Sequence, residues 1–206
     1  MHIHLQGLGK KFNREWIFKN LTYSFITGNC YAITGNNGSG KSTLLKILAG
    51  YSTYSEGSLL WKSSSNNSIE SDAVYKEISI AAPYLELIEE MTAIELMQFH
   101  LSSKQWIAGF DNHSILKKVG LEQAAKKQIK LYSSGMKQRL KLALAFFSKT
   151  ELLLLDEPCT NLDAAGVEIY HSLLLDFTQS RTTIICSNDP TEYPNCNDHL
   201  SIMDYK

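Results

Sequence analysis

The residues with the most evident chemistry are Gly35-Asn36-Asn37-Gly38-Ser39-Gly40-Lys41-Ser42-Thr43. Gly35, Gly40, Lys41 and Ser42 stand at the fixed positions of G-x-x-x-x-G-K-[ST], a loop that cradles phosphates. Glycines tolerate positive φ and leave room for phosphate oxygens beside the backbone. Successive amides then form an anion-binding concavity that ends at a helix N-terminus. Lys41 would reach the β- and γ-phosphates, and the Ser42 hydroxyl would ligate Mg²⁺. A second stretch, Leu152-Leu153-Leu154-Leu155-Asp156-Glu157-Pro158, sets two carboxylates directly after an apolar run. A buried strand of this kind delivers Asp156 to the end of a sheet, where it can hold Mg²⁺. Glu157 could then take a proton from an attacking water. The two stretches together predict a nucleoside triphosphate site.

The flanking elements suit that chemistry. Residues 30–34 read as a buried strand entering the loop, and residues 43–49 as a helix leaving it, with Gly50 as its C-cap. Residues 2–34 alternate apolar and polar, with Gly7, Gly9 and Gly28 as breaks between short strands. A turn is expected at 55–57, a strand at 58–61, and an exposed polar connection at 62–72. Residues 78–82 form a strand stopped by Pro83. From about 92 to 130 the spacing turns helical, beginning at Thr92 as N-cap with Glu95 three residues on. Two further helical pieces divide at Gly120. A helix over about 135–148 and apolar strands at 152–155 and 182–186 follow. This order predicts an α/β sheet covered on both faces. The core comprises about 1–82 and 136–206, and a helical subdomain of about 83–135 is inserted in it.

Composition narrows the function classes. The 206 residues carry 20 Lys and Arg against 21 Asp and Glu, a net charge of -1. No basic excess points to nucleic acid or an anionic membrane surface. No apolar run reaches the ~18 residues of a membrane helix. Cys30, Cys159, Cys186 and Cys196 form no C-x-x-C pair, so all four are expected to be reduced thiols in a cytosolic protein. The histidines do not cluster as metal ligands and are expected on surfaces or helices.

Tyr132-Ser133-Ser134-Gly135-Met136-Lys137-Gln138-Arg139 makes the reading specific. It resembles the L-S-G-G-Q signature of ABC-type ATPases, keeping Ser133, Gly135 and the Gln138-Arg139 tail while departing at Tyr132, Ser134 and Met136. Physically it is a Ser-capped helix start, a second anion site of backbone N–H groups. It lies 23 residues ahead of Asp156, a separation common in that family. Thr160-Asn161-Leu162-Asp163 is similar to the family's D-loop, and Phe12 stands where an aromatic stacks on adenine. The resemblance implies a P-loop NTPase (RecA-like) core with an N-terminal antiparallel β region. It implies ATP and Mg²⁺ as cofactors, held by residues 35–43 and Asp156. Ser133, Gly135 and Asp163 would serve a nucleotide shared with a second copy. A separate transmembrane permease is the implied partner, and the chain would sit in the cytoplasm, peripheral on the membrane's inner face.

Two positions depart from the family. Pro83 stands where a glutamine is expected near the metal, and Asn188 where a histidine contacts the γ-phosphate. Asparagine can donate to a phosphate but cannot shuttle a proton. Glu157 is left as the evident base, and slow hydrolysis is expected. The competing readings are a catalytically weak ATP-binding module that gates a partner, and a soluble, non-transport ABC ATPase.

Overall fold

The computed structural model describes residues 1–179, 181–196 and 198–206. Strands β1 (His2–Phe12) and β2 (Glu15–Phe25) form a hairpin in which Phe12 pairs with Glu15. Asn13, in the turn, has a φ of 53°, which a tight hairpin needs and asparagine accepts. The expected breaks at Gly7 and Gly9 do not occur. β1 runs through them, and its register with β2 shifts between Leu5 and Leu8 and between Leu8 and Lys10. Irregularities of this kind bend a strand without ending it.

Strand β4 (Glu56–Lys62) pairs with β1 and β5 (Ser68–Ile69) with β4, giving an antiparallel sheet in the order β2-β1-β4-β5. The turn expected at 55–57 is in fact the start of β4. Gly57 has a φ of 83°, and a Cβ there would stand 2.4 Å from the Gly7 carbonyl oxygen. The two backbones pass at a distance that no side chain would permit.

The second sheet is wholly parallel, in the order β6-β7-β8-β3-β9. Its strands are β3 (Cys30–Thr34), β6 (Ile78–Ala81), β7 (Leu152–Asp156), β8 (Thr182–Cys186) and β9 (Asp198–Ser201). It is covered on both faces, and β7 shows why the run is unbroken. Leu152 and Leu154 join the apolar cluster shared with the antiparallel sheet and helix α1 (Lys41–Leu48). Leu153 and Leu155 join the cluster built with α4 (Ser134–Phe147) and α5 (Ala164–Phe177). Successive side chains point to opposite faces, so a strand buried twice shows no polar alternation.

Helices α2 (Ala93–His100) and α3 (Asn112–Lys118) lie in the chain between β6 and α4. Each starts with a capping box, Thr92 with Glu95 and Asp111 with Ser114. Leu96, Met97, Ile115 and Leu116 are buried in the cluster that also holds α4 and α5. His100 is the last residue of α2, as expected of a helix histidine. Its Nε2 lies 2.7 Å from the Ser148 Oγ and its ring stacks on Trp106 at 5.0 Å.

The cysteine reading also needs correction. Cys30 and Cys196 are disulfide-bonded, while Cys159 and Cys186 are free. The partners lie 166 residues apart in sequence. They meet because β9 adds to the sheet beside β3, with Asp198 opposite Tyr31.

Candidate functional site

The phosphate loop connects β3 to α1. Gly35, Gly38 and Gly40 have φ values of 145°, 77° and 105°. At Gly35 and Gly40 space adds to this demand: a Cβ would stand 2.7 Å from Ile202 Cγ2 and 2.4 Å from Ile17 Cγ2. Lys41 is 5% exposed, and its Nζ donates to the carbonyls of Gly35 at 2.6 Å and Asn36 at 3.3 Å. The ammonium is therefore held across the loop it would share with phosphate.

Asp156 ends β7 and is 2% exposed. Burial pushes its carboxyl above the usual range, Glu157 adds to this, and the Ser42 hydroxyl with Lys41 and Lys46 opposes it. Its Oδ1 is buried with no hydrogen-bond partner among the described residues. Glu157 follows at a φ of 43°, a region that costs a residue bearing a Cβ and is tolerated where surroundings enforce it. One such enforcement is visible: the Glu157 N–H donates to the Cys186 carbonyl at 2.9 Å, tying it to the end of β8. Glu157 and Ile17 line the opening over residues 37–43.

Asn188, two residues past β8, touches the same loop. Its Oδ1 accepts from the Gly35 N–H at 3.2 Å, and its Nδ2 donates to Asn37 Oδ1 at 3.1 Å. The fold thus brings residues 35–43, Asp156, Glu157 and Asn188 to one end of the parallel sheet. They lie at the carboxyl ends of β3, β7 and β8, where open α/β sheets take their ligands.

A side chain the sequence did not single out joins them. Ala81 pairs with Leu155, so the chain leaving β6 runs beside Asp156. Tyr84 there lies under the Lys46 ammonium, 3.9 Å from its ring centroid. Burial and the Asp156 carboxylate raise its phenol well above the ordinary value. Pro83 stands where the resemblance implies a glutamine, and the polar group near the acid comes from its neighbour. An aromatic beside Pro83, with a lysine one turn beyond Ser42, was the available signal.

Four predicted residues stand apart. Phe12 is 52% exposed, with Lys10 Nζ 4.8 Å from its ring centroid, so it is no core residue. Ser133 caps α4, accepting from the Met136 N–H at 3.2 Å. A Cβ on Gly135 would stand 2.9 Å from the Asn161 carbonyl oxygen, so this helix start packs against the 160–163 loop. Asp163 caps α5, accepting from the Gly166 N–H at 2.8 Å. Among the described residues, none of the four hydrogen-bonds to the phosphate loop. Cys159, next to this region, has its N–H on Glu192 Oε1 at 2.8 Å. Burial, then Glu192, push its thiol up to about 12, which makes it a packing residue with no thiolate character.

Comparison with known proteins agrees with this architecture. Residues 18–160 match the ABC transporter family. The chain is 31% identical over 191 residues to the uncharacterized ABC transporter ATP-binding protein YybJ of Bacillus subtilis, covering 92% of this chain and 86% of that protein. It is 31% identical over 172 residues to the cytochrome c biogenesis ATP-binding export protein CcmA of Vibrio cholerae, covering 82% of each. Among solved structures, the dimeric MJ0796, a bacterial ABC transporter cassette, superposes with a TM-score of 0.81 at 23% identity, over 97% of this chain and 94% of that one. With a family match across most of its length and relatives of this identity and coverage, the chain belongs to the ATP-binding, ATPase domains of ABC transporters.

Proposed function

We propose that this chain binds and hydrolyses ATP as the nucleotide-binding subunit of a transporter, pairing with a second copy on ATP and driving a separate membrane subunit. The observation that carries this is the convergence of the phosphate loop, Asp156 and Glu157, while the Ser133-capped start of α4 stays off that loop. A helix start built for an anion, with no nucleotide loop of its own chain beside it, suits the γ-phosphate bound by a second copy. No helix among the described residues is long and apolar enough to cross a membrane.

Each residue then has a task. The amides of residues 36–43 and the Lys41 ammonium bind and orient the phosphates. Phe12 offers an exposed face to the adenine. Asp156 and Ser42 fit Mg²⁺: the Asp156 Oδ1, without a partner among the described residues, and the hydroxyl are hard oxygen donors. Bound there, the cation would neutralise charge on the phosphates. Glu157 takes the proton of the attacking water, and Asn188 donates its amide toward the γ-phosphate. Residues 83–135 form a helical lobe on a core of 1–82 and 136–206, and the subunit sits on the cytoplasmic face of its membrane.

One observation favours a weaker catalyst. Asn188 is engaged with Gly35 and Asn37 and has no titratable proton, so the site could close on ATP while turning over slowly. Steady-state hydrolysis by the wild type beside Glu157→Gln, with ATP-dependent dimerisation followed by sedimentation, separates the readings. Turnover that falls by about 100-fold or more in the variant, with dimerisation kept, supports the ATPase. Dimerisation without turnover in either protein leaves the gating module, and absence of ATP-dependent dimerisation refutes the pairing.

A further inference from the structure

Lys206 reaches the phosphate loop from its outer side. β9 runs parallel to β3 with Ser201 opposite Thr34, so the chain leaves the sheet beside the residue that opens the loop. A 3₁₀ turn, Ile202–Tyr205, follows. Ile202 is fully buried and fills the space beside the bare Cα positions of Gly35 and Gly40. Lys206 Nζ then donates to the Ser39 carbonyl at 2.7 Å and the Ile17 carbonyl at 2.8 Å. It forms no ion pair with a carboxylate among the described residues.

Peptide geometry turns this contact into an effect on the nucleotide. The Ser39 carbonyl and the Gly40 N–H belong to one planar trans peptide and point in opposite directions. With the carbonyl drawn outward by Lys206, the Gly40 N–H faces the other way, toward the concavity. It has no backbone acceptor among the described residues. An ammonium on the carbonyl oxygen also polarises the peptide and strengthens its N–H as a donor to an anion. The Ile17 carbonyl supplies the second anchor, on the strand whose side chain lines the opening.

We infer that Lys206 is a positioning residue for nucleotide binding: it ties the outer turn of the phosphate loop to β2 and aims the Gly40 N–H at the phosphate chain. It touches neither Glu157 nor Asn188, so its effect falls on binding and KM and leaves kcat alone. Diphosphate and triphosphate both occupy the loop and both feel it.

This inference rests on the reading of residues 35–43 as the nucleotide loop. The test is equilibrium titration of the purified full chain with fluorescent N-methylanthraniloyl ADP and with ATP, alongside steady-state kinetics. Failure of the wild type to bind either would refute the nucleotide reading itself, whatever Lys206 does. Given wild-type binding, Lys206→Ala is expected to weaken both nucleotides about tenfold and to raise KM similarly, with kcat within about twofold. Lys206→Arg, which can still bridge two carbonyls, should recover most of the affinity. Met203→Ala, an exposed change in the same segment, should leave it unchanged. If Lys206→Ala loses its cooperative melting transition, Lys206→Met keeps the aliphatic stem without the donors and takes its place. Wild-type affinity in the variant, a loss confined to kcat, an arginine variant as weak as the alanine one, or an equal loss in Met203→Ala would each overturn the inference.

Discussion

Asn188 shows how one residue sets the character of the site. Its amide satisfies the Gly35 N–H and the Asn37 side chain at once, so it is well placed beside the loop yet has no proton to exchange. Asn188→His would put an imidazole, which titrates near neutral pH, at the same point. Turnover should rise on the order of tenfold, read as kcat at saturating ATP, and a rate at or below wild type would show that position 188 is not limiting. Glu157 is the complementary case. Its backbone sits in a strained region because β8 holds its N–H, so the side chain is aimed by tertiary contact and not by local preference. The loop glycines, Lys41, Asp156 and Glu157 were all legible from residue type and spacing. Tyr84 was not, because its place beside Asp156 follows from the β6–β7 register, a pairing between segments more than 70 residues apart.

At the scale of elements, the buried strands and capped helices follow from local rules. The Thr92 and Ser133 caps stand where the sequence placed them, because a side-chain oxygen on an N-terminal N–H is a contact within four residues. The docking of α2 is a different matter. His100, in its last turn, bonds Ser148 just past α4. Burial, with Lys104 as the second cause, lowers its pKa from 6.5 to about 4. The folded state therefore holds the imidazole neutral, while the unfolded chain protonates it below pH ~6.5. Stability from this group is fully present above that pH and is lost as pH falls toward 4. Chemical denaturation across pH 4–7 should show a steeper acid decline in wild type than in His100→Gln, by on the order of 1–3 kcal/mol at the acid end after allowing for partial exposure. Parallel curves would show that another group governs the limb.

For the whole molecule, the Cys30–Cys196 bond joins the start of β3 to the segment leading into β9. A thiol count in denaturant should find two reactive groups per chain before reduction and four after it, the two being Cys159 and Cys186. Reduction should also lower the melting temperature, since a link across 166 residues constrains the unfolded chain by as much as about 5 kcal/mol. Four thiols without reductant would show the chain to be reduced in solution.

The sequence by itself determined the chemistry. A loop of fixed glycine and lysine spacing, an apolar run ending in two acids, and a Ser-capped helix start are local statements, each decided within about ten residues by backbone sterics, strand burial and capping. Only the tertiary structure decided which of these meet. Strand order and register brought Asn188 to the phosphate loop and Tyr84 to the Lys46 ammonium, kept Ser133 and Gly135 off the loop, joined Cys30 to Cys196, and set Lys206 on the Ser39 carbonyl. Those are contacts between distant segments. They arise from burying two apolar faces of one parallel sheet, an energy that belongs to the assembled chain and to no stretch of it.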